Sequence, residues 1–279
     1  MFFPDARRFL RFSLLAAFCF AATLSLFAAD QAASWDSPHF SLEPQALYAA
    51  ASAAKPPEGT DIAVLVDEES YVFDAGGSSV HTQHLIYKVL TQRGAQSWDS
   101  IACGWEPWHQ QRPVVRVRVV TPDFSVHELD PATIIDGSAD EGDARLYSDR
   151  RIVRAPLPAI APGSVIEEEL VINETAPLFS AGSAASFFVG HYVPVQHSRL
   201  VLEAPSAVPL HYVTQLLPDS PPQRREADGR TTLTFEYGPL PPVDPPETNL
   251  PSDAPALPMI TFTTGLLAGG RRGLLRHRG

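Results

Sequence analysis

The chain has 279 residues, 44% of them hydrophobic and 9% aromatic, enough apolar side chain for a core in one or two domains. Its formal net charge is −11 with an isoelectric point near 5.2, and no basic stripe crosses its body, which argues against a nucleic-acid partner. Cys19 and Cys103 are the only cysteines; Cys19 falls in a segment expected to be removed, which leaves the mature chain one thiol and no internal disulfide.

Residues 1–29 read as an export signal. Arg7, Arg8 and Arg11 precede an apolar run over residues 12–27, and small residues follow. The run is shorter than the roughly 20 residues a spanning helix needs. Phe27 or Leu26 falls at the minus-three position of the cleavage site, so an uncleaved anchor is the alternative, and either form places the domain in the periplasm or outside the cell. Residues 30–60 are a lead-in: Ser41 is placed to cap a helix that carries Glu43 and Pro44 in its first turn, runs through the alanine-rich residues 45–54, and stops at Pro56 and Pro57.

From Asp61 the apolar period becomes two. Residues 62–73 and 78–90 flank Asp74-Ala75-Gly76-Gly77, whose glycines permit a hairpin reversal. Further strands are predicted at residues 97–103, 114–120, 125–129, 183–189, 195–204, 210–216, 223–226 and 230–237, with helix confined to the lead-in and residues 91–95. Two more come from the stretch at residues 147–171. There residues 151–157 form a β-type run ended by Pro156 and Pro158, Pro162 and Gly163 supply the angles of a turn, and a strand starts at Val165; the stretch reads as a hairpin. In its second strand Ile166, Glu168 and Leu170 share a face opposite Val165, Glu167 and Glu169. A charge on that apolar face needs a partner, and Arg150, Arg151 and Arg154 are the nearest cations. Arg151, Pro162, Gly163 and Glu168 are therefore assigned structural roles.

These segments make roughly a dozen strands at the spacing of an all-β, antiparallel β-sandwich over residues 61–238, without βαβ units. Residues 239–262 follow as a proline-rich strap and last strand, and residues 263–279 as a basic, glycine-rich tail expected to be disordered. The tail breaks with the acidic body, as out-of-frame or prematurely stopped sequence, or a natural truncation, would.

Several of these pieces carry a family resemblance. Arg-Leu-Tyr-Ser-Asp-x-Arg at residues 145–151 and Leu-Pro-x-Ile-x-Pro-Gly-Ser-Val-Ile-Glu at residues 157–167 come after Ala63-Val64-Leu65, His84-Leu85-Ile86-Tyr87-Lys88-Val89-Leu90 and Thr121-Pro122-Asp123. They precede Ser198-Arg199-Leu200-Val201-Leu202-Glu203-Ala204-Pro205. In this order they resemble the bacterial domain of unknown function 3857, with a departure at Phe124, where such relatives commonly carry glycine. The resemblance implies a β-sandwich accessory domain of an exported protein, next to a transglutaminase-like core.

No catalytic, cofactor-binding or metal-binding residue is assigned. Cys103 and His109 sit in a strand-and-loop context rather than at a helix start that would lower a thiol pKa. His81 and His84, three apart on a strand, face opposite sides and cannot share a metal. Asp136, Asp140, Glu141 and Asp143 crowd one loop without the spacing of a calcium-binding hand. Trp98, Trp105 and Trp108 are the candidate ligand surface, for a glycan. The sequence thus predicts a non-catalytic, exported module that binds or positions for a transglutaminase-like domain; the alternative is a stand-alone envelope adhesion or glycan-binding domain.

Overall fold

The computed structural model describes residues 35, 37–139, 149–180, 182–244 and 257–265. The export segment, most of the acidic loop, the Arg145–Tyr147 part of the family motif, the middle of the strap and the basic tail lie outside them. Among the described residues no helix is long and apolar enough to cross a membrane.

After helix α1 (Pro44–Ala53) come β1 (Ile62–Phe73), β2 (Ser79–Val89), helix α2 (Gln92–Ser97) and β3 (Ser100–Trp105). β4 (Val114–Val120), β5 (Val126–Glu128), a 3-10 turn at Pro131–Thr133, β6 (Ile135–Ser138), β7 (Arg151–Pro156) and β8 (Val165–Asn173) follow. The chain ends with β9 (Ala184–Phe188), β10 (Ser198–Pro205), β11 (His211–Gln215), β12 (Gln223–Ala227), β13 (Arg230–Tyr237) and β14 (Met259–Thr263). One eight-stranded sheet runs β12-β13-β10-β1-β2-β8-β4-β5, beside two three-stranded sheets, β11-β14-β9 and β3-β7-β6. The fold is the expected all-β arrangement of antiparallel ladders, with one parallel pairing, β1 on β10.

Packing follows the alternation. On the inner face of the large sheet, Tyr87, Val117, Val119 and Ile166 meet Ile101, Ala155 and Leu157 from the β3-β7-β6 side. At the other end of that face Phe73, Leu200, Leu202, Leu233 and Phe235 meet Phe187, Ile260 and Phe262 of the β11-β14-β9 sheet. The outer face is covered by α1, whose Leu47 and Ala51 pack on Leu65, Val66, Ile86, Val120 and Val165. Strand β1 is buried on both sides from Ile62 to Val66, and a bulge between Val64 and Val66 re-aims its side chains.

Three expectations change. Residues 151–157 and the strand from Val165 do not pair as a hairpin: β7 lies between β3 and β6, while β8 lies between β2 and β4. Both ladder edges of β8 are taken by distant strands, so the turn becomes a corner between sheets. The turn itself is as expected, with Gly163 at φ +90° and its N–H donating to Val89 O at 2.8 Å. A Cβ at Gly163 would lie 2.9 Å from Pro122 Cγ, so glycine is required for close approach as well. Second, Ser41 is not the cap of α1: the cap position is Glu43, with no side-chain bond, and Pro44 opens the helix. Third, the strand expected at residues 97–103 is the end of α2 followed by β3, because Thr91 accepts from Gly94 N and caps a short helix.

Candidate functional site

Where the large sheet passes between the two small ones, its inner face is left open. Pairing register fixes what lies there. Asp67 stands opposite Leu85 and Leu85 opposite Glu168; one rung on, Glu69 stands opposite Gln83 and Gln83 opposite Leu170. Two cavities of about 270 Å³ each rest on these rungs and share Gln83. The first is walled by Tyr87, Glu168, Leu170, Trp98 and Ile101. The second is walled by Asp67, Glu69, the stretch from Phe188 to Tyr192, and the strap residues Val243, Leu257 and Pro258.

Glu168 dominates the first cavity. It is nine-tenths buried, and Tyr87 Oη donates to its Oε1 at 2.7 Å. Burial pushes the carboxyl up to about 7, against the smaller downward pull of the Tyr87 hydrogen bond. Its partner is therefore a phenol on the neighbouring strand and not an arginine. Arg151 is engaged elsewhere: its Nε donates to Asp136 at 2.9 Å, and its guanidinium lies over the Trp105 ring at 5.9 Å. In the second cavity burial likewise raises the pKa of Asp67, although His191 Nε2 approaches it at 3.1 Å. Glu69 accepts from Tyr71 Oη at 3.1 Å and meets His81 Nε2 at 3.0 Å, and the His81 and Tyr71 rings are stacked. The site offers carboxyls in a partly dehydrated cleft, an arrangement suited to recognising a donor or a cation.

The outer face of the same strands carries a different charge set. Glu167 accepts from Arg118 Nε at 2.7 Å, from Phe40 N at 2.7 Å, and meets His84 Nε2 at 2.9 Å. Burial raises the Glu167 pKa, but His84, the Phe40 amide and Arg118 outweigh it and hold the carboxyl below its usual value. Beside it, His39 lies between Glu169 at 2.6 Å and Glu68 at 3.5 Å and stacks on the His84 ring at 3.7 Å. Arg199 reaches Glu68 at 3.3 Å, and Arg116 sits over the Phe40 ring. The residues ahead of α1 are thereby latched onto the sheet.

The other sequence candidates separate. Trp98 packs edge-on against Tyr87, Trp105 is buried, and Trp108 is exposed and donates to Glu106, so the three do not form one aromatic platform. His81 and His84 face opposite sides as the spacing requires. Cys103 donates weakly to Gly104 O, and burial pushes its thiol up to about 11, a poor nucleophile at neutral pH. His109 is buried with its nearest carboxylates, Glu106 and Glu174, at 3.7 and 3.8 Å. Asp136 pairs with Arg112 and Arg151, and no group of three metal-ligating side chains occurs among the described residues. Asp67, Glu69 and Gln83 carry no site motif in the sequence, and His191 reads there as an isolated surface or core histidine. The signal available was Asp67-Glu68-Glu69 interrupting an apolar strand, which alternation alone puts on two faces.

The cleft and its frame can be set beside known proteins. No curated protein matches the chain. Among solved structures, a candidate protease from Parabacteroides distasonis superposes with a TM-score of 0.64 at 14% identity, over 73% of this chain and 40% of that one. An M1 zinc metallopeptidase from Deinococcus radiodurans aligns at 12% identity over 72% of this chain and 42% of its own, with a TM-score of 0.37. The chain thus spans less than half the length of these structures. The shared fold with the first is the extent of what that likeness shows. The match over residues 75–244 to the family described as a domain of unknown function with a solved structure covers more than half the sequence, and the chain belongs to that family, DUF3857.

Proposed function

We propose that this domain is a non-catalytic positioning module of a larger exported enzyme, docking a transglutaminase-like catalytic domain against the side of the cleft where the strap returns. The carrying observation is an apolar surface at that place. Phe188 and Tyr192 are each at least half exposed and adjoin Val243, Leu257 and Pro258 around the second cavity. Large exposed aromatics grouped beside a proline-rich connection are characteristic of an interface between domains. The likeness to a candidate protease of which this chain covers 40% supports a part within a larger enzyme.

The test is the intact mass of the native protein from the cell envelope, with the locus sequenced past codon 279. A product that continues into a core bearing cysteine, histidine and aspartate upholds the reading. In that product Phe188→Ser with Tyr192→Ser is expected to split one thermal unfolding transition into two. A product ending at Gly279 that cross-links to no exported catalytic protein through a photoreactive group at Tyr192 overturns it.

A further inference from the structure

We infer that the Glu168 cavity is a binding site for a primary ammonium group, with the aliphatic stem of the ligand lying along Leu85, Leu170 and Ile101 and the charge meeting Glu168. The floor of the cavity holds a carboxyl whose one hydrogen bond among the described residues, from Tyr87, occupies Oε1. Its walls mix the apolar Leu85, Leu170, Ile101 and Trp98 with the hydroxyls of Ser97 and Ser100, and the Gln83 amide stands at the passage to the second cavity. Among the described residues no lysine or arginine lines either cavity, and the inward carboxyls Asp67, Glu69 and Glu168 meet the imidazoles of His191 and His81 and the phenols of Tyr71 and Tyr87.

A carboxyl placed on an apolar floor without a cation costs stability, and Tyr87 could be satisfied by a neutral acceptor at the same position. Such placement is a mark of a functional group. An anion is repelled here, and a purely apolar ligand leaves the carboxyl dehydrated without compensation. A primary ammonium supplies donors to the carboxylate, a methylene stem for the walls and a charge for the Trp98 ring. A volume of about 270 Å³ suits a side-chain-sized ligand. The inference stands apart from the docking surface, which lies across the second cavity, and either can fail alone.

The probes are Nα-acetyl-lysine methylamide, cadaverine and the uncharged Nα-acetyl-norleucine methylamide, titrated into the protein and followed by the Trp98 indole resonance and by calorimetry. Saturable binding of an amine with a dissociation constant on the order of 1 mM is expected. Because a cation favours the ionised carboxyl, affinity should rise about tenfold between pH 6 and pH 8. Glu168→Gln, which keeps the acceptor for Tyr87, should lower affinity about tenfold at pH 8 and flatten the pH profile. Ala102→Arg, at an exposed position on the rim, places a resident cation at the cavity and should abolish binding with the fold intact. Tighter binding of the capped lysine assigns the site to a protein side chain, and tighter binding of cadaverine to a free diamine; both uphold it. Equal binding of the norleucine compound, unchanged amine affinity in Glu168→Gln, or no saturable binding of either amine overturns it.

Discussion

Glu167 and Glu168 are neighbours in one strand, both buried, yet the sheet gives them opposite fates. Glu167 points to the outer face, where Arg118, His84 and the Phe40 amide converge on it and hold its carboxyl low. Glu168 points into the cleft, has Tyr87 as its hydrogen-bond partner among the described residues, and is raised by burial to about 7. Burial is similar in the two; what differs is the supply of cations. The outer face is saturated with charge partners by the latch, and the inner face has its charge in reserve for something that arrives from outside.

The largest expected effect comes from breaking the saturated side. Arg118→Met leaves Glu167 buried without its arginine partner and should cost about 3–5 kcal/mol in urea unfolding at pH 7. A loss under about 1 kcal/mol would mean that His84 and the Phe40 amide suffice. The inner face responds in the opposite sense. The Glu168 carboxyl titrates near 7 in the folded chain against 4.5 as its ordinary value. The folded state therefore holds that proton more tightly, and the stability so gained is full below pH 4.5 and lost as pH rises through 7. Glu168→Gln should match the parent at pH 4 and exceed it by about 3 kcal/mol at pH 8 to 9. Equal stability at both values would remove the uncompensated carboxyl from the argument.

The smallest effect belongs to the latch. His39 is raised by its hydrogen bond to Glu68, against a downward push from burial, with Glu169 adding to the rise. Its contribution is complete below its ordinary value of 6.5 and fades as pH climbs through the higher folded value. His39→Phe, which can still stack on His84, should cost under about 1 kcal/mol at pH 5.5 and nothing at pH 9. Amide exchange at Leu47 and Ala51 would report that opening.

What was legible in the sequence was local. β1, β4 and β13 have the bounds that alternation assigns, since period two needs no knowledge of the partner. Burial of Glu168 followed from Ile166 and Leu170 in the same way. Its partner did not, because Tyr87 is reached through a pairing with a strand far upstream, and the arginines close in sequence look toward another sheet. β6, reading Ile-Asp-Gly-Ser, has no alternation to detect; it is a strand because β7 offers it an edge. Phe124, where the family resemblance leads to the expectation of glycine, has φ +67°, and its ring lies edge-on against Tyr48 of α1.

The parallel pairing of β1 with β10 sets a timetable. β1 and β2 can zip together as soon as both have been made, but the other side of β1 waits for its partner, since Asp67 is matched with Ser198. Without β10, strand β1, whose residues Ile62 to Val66 are buried on both faces, has one open edge. That edge is covered in the folded sheet by β10, which pairs in turn with β13 across the intervening β11 and β12. A substitution that loosens the β10–β13 pairing is therefore expected to bare the edge of β1 and to lower the yield of folded protein.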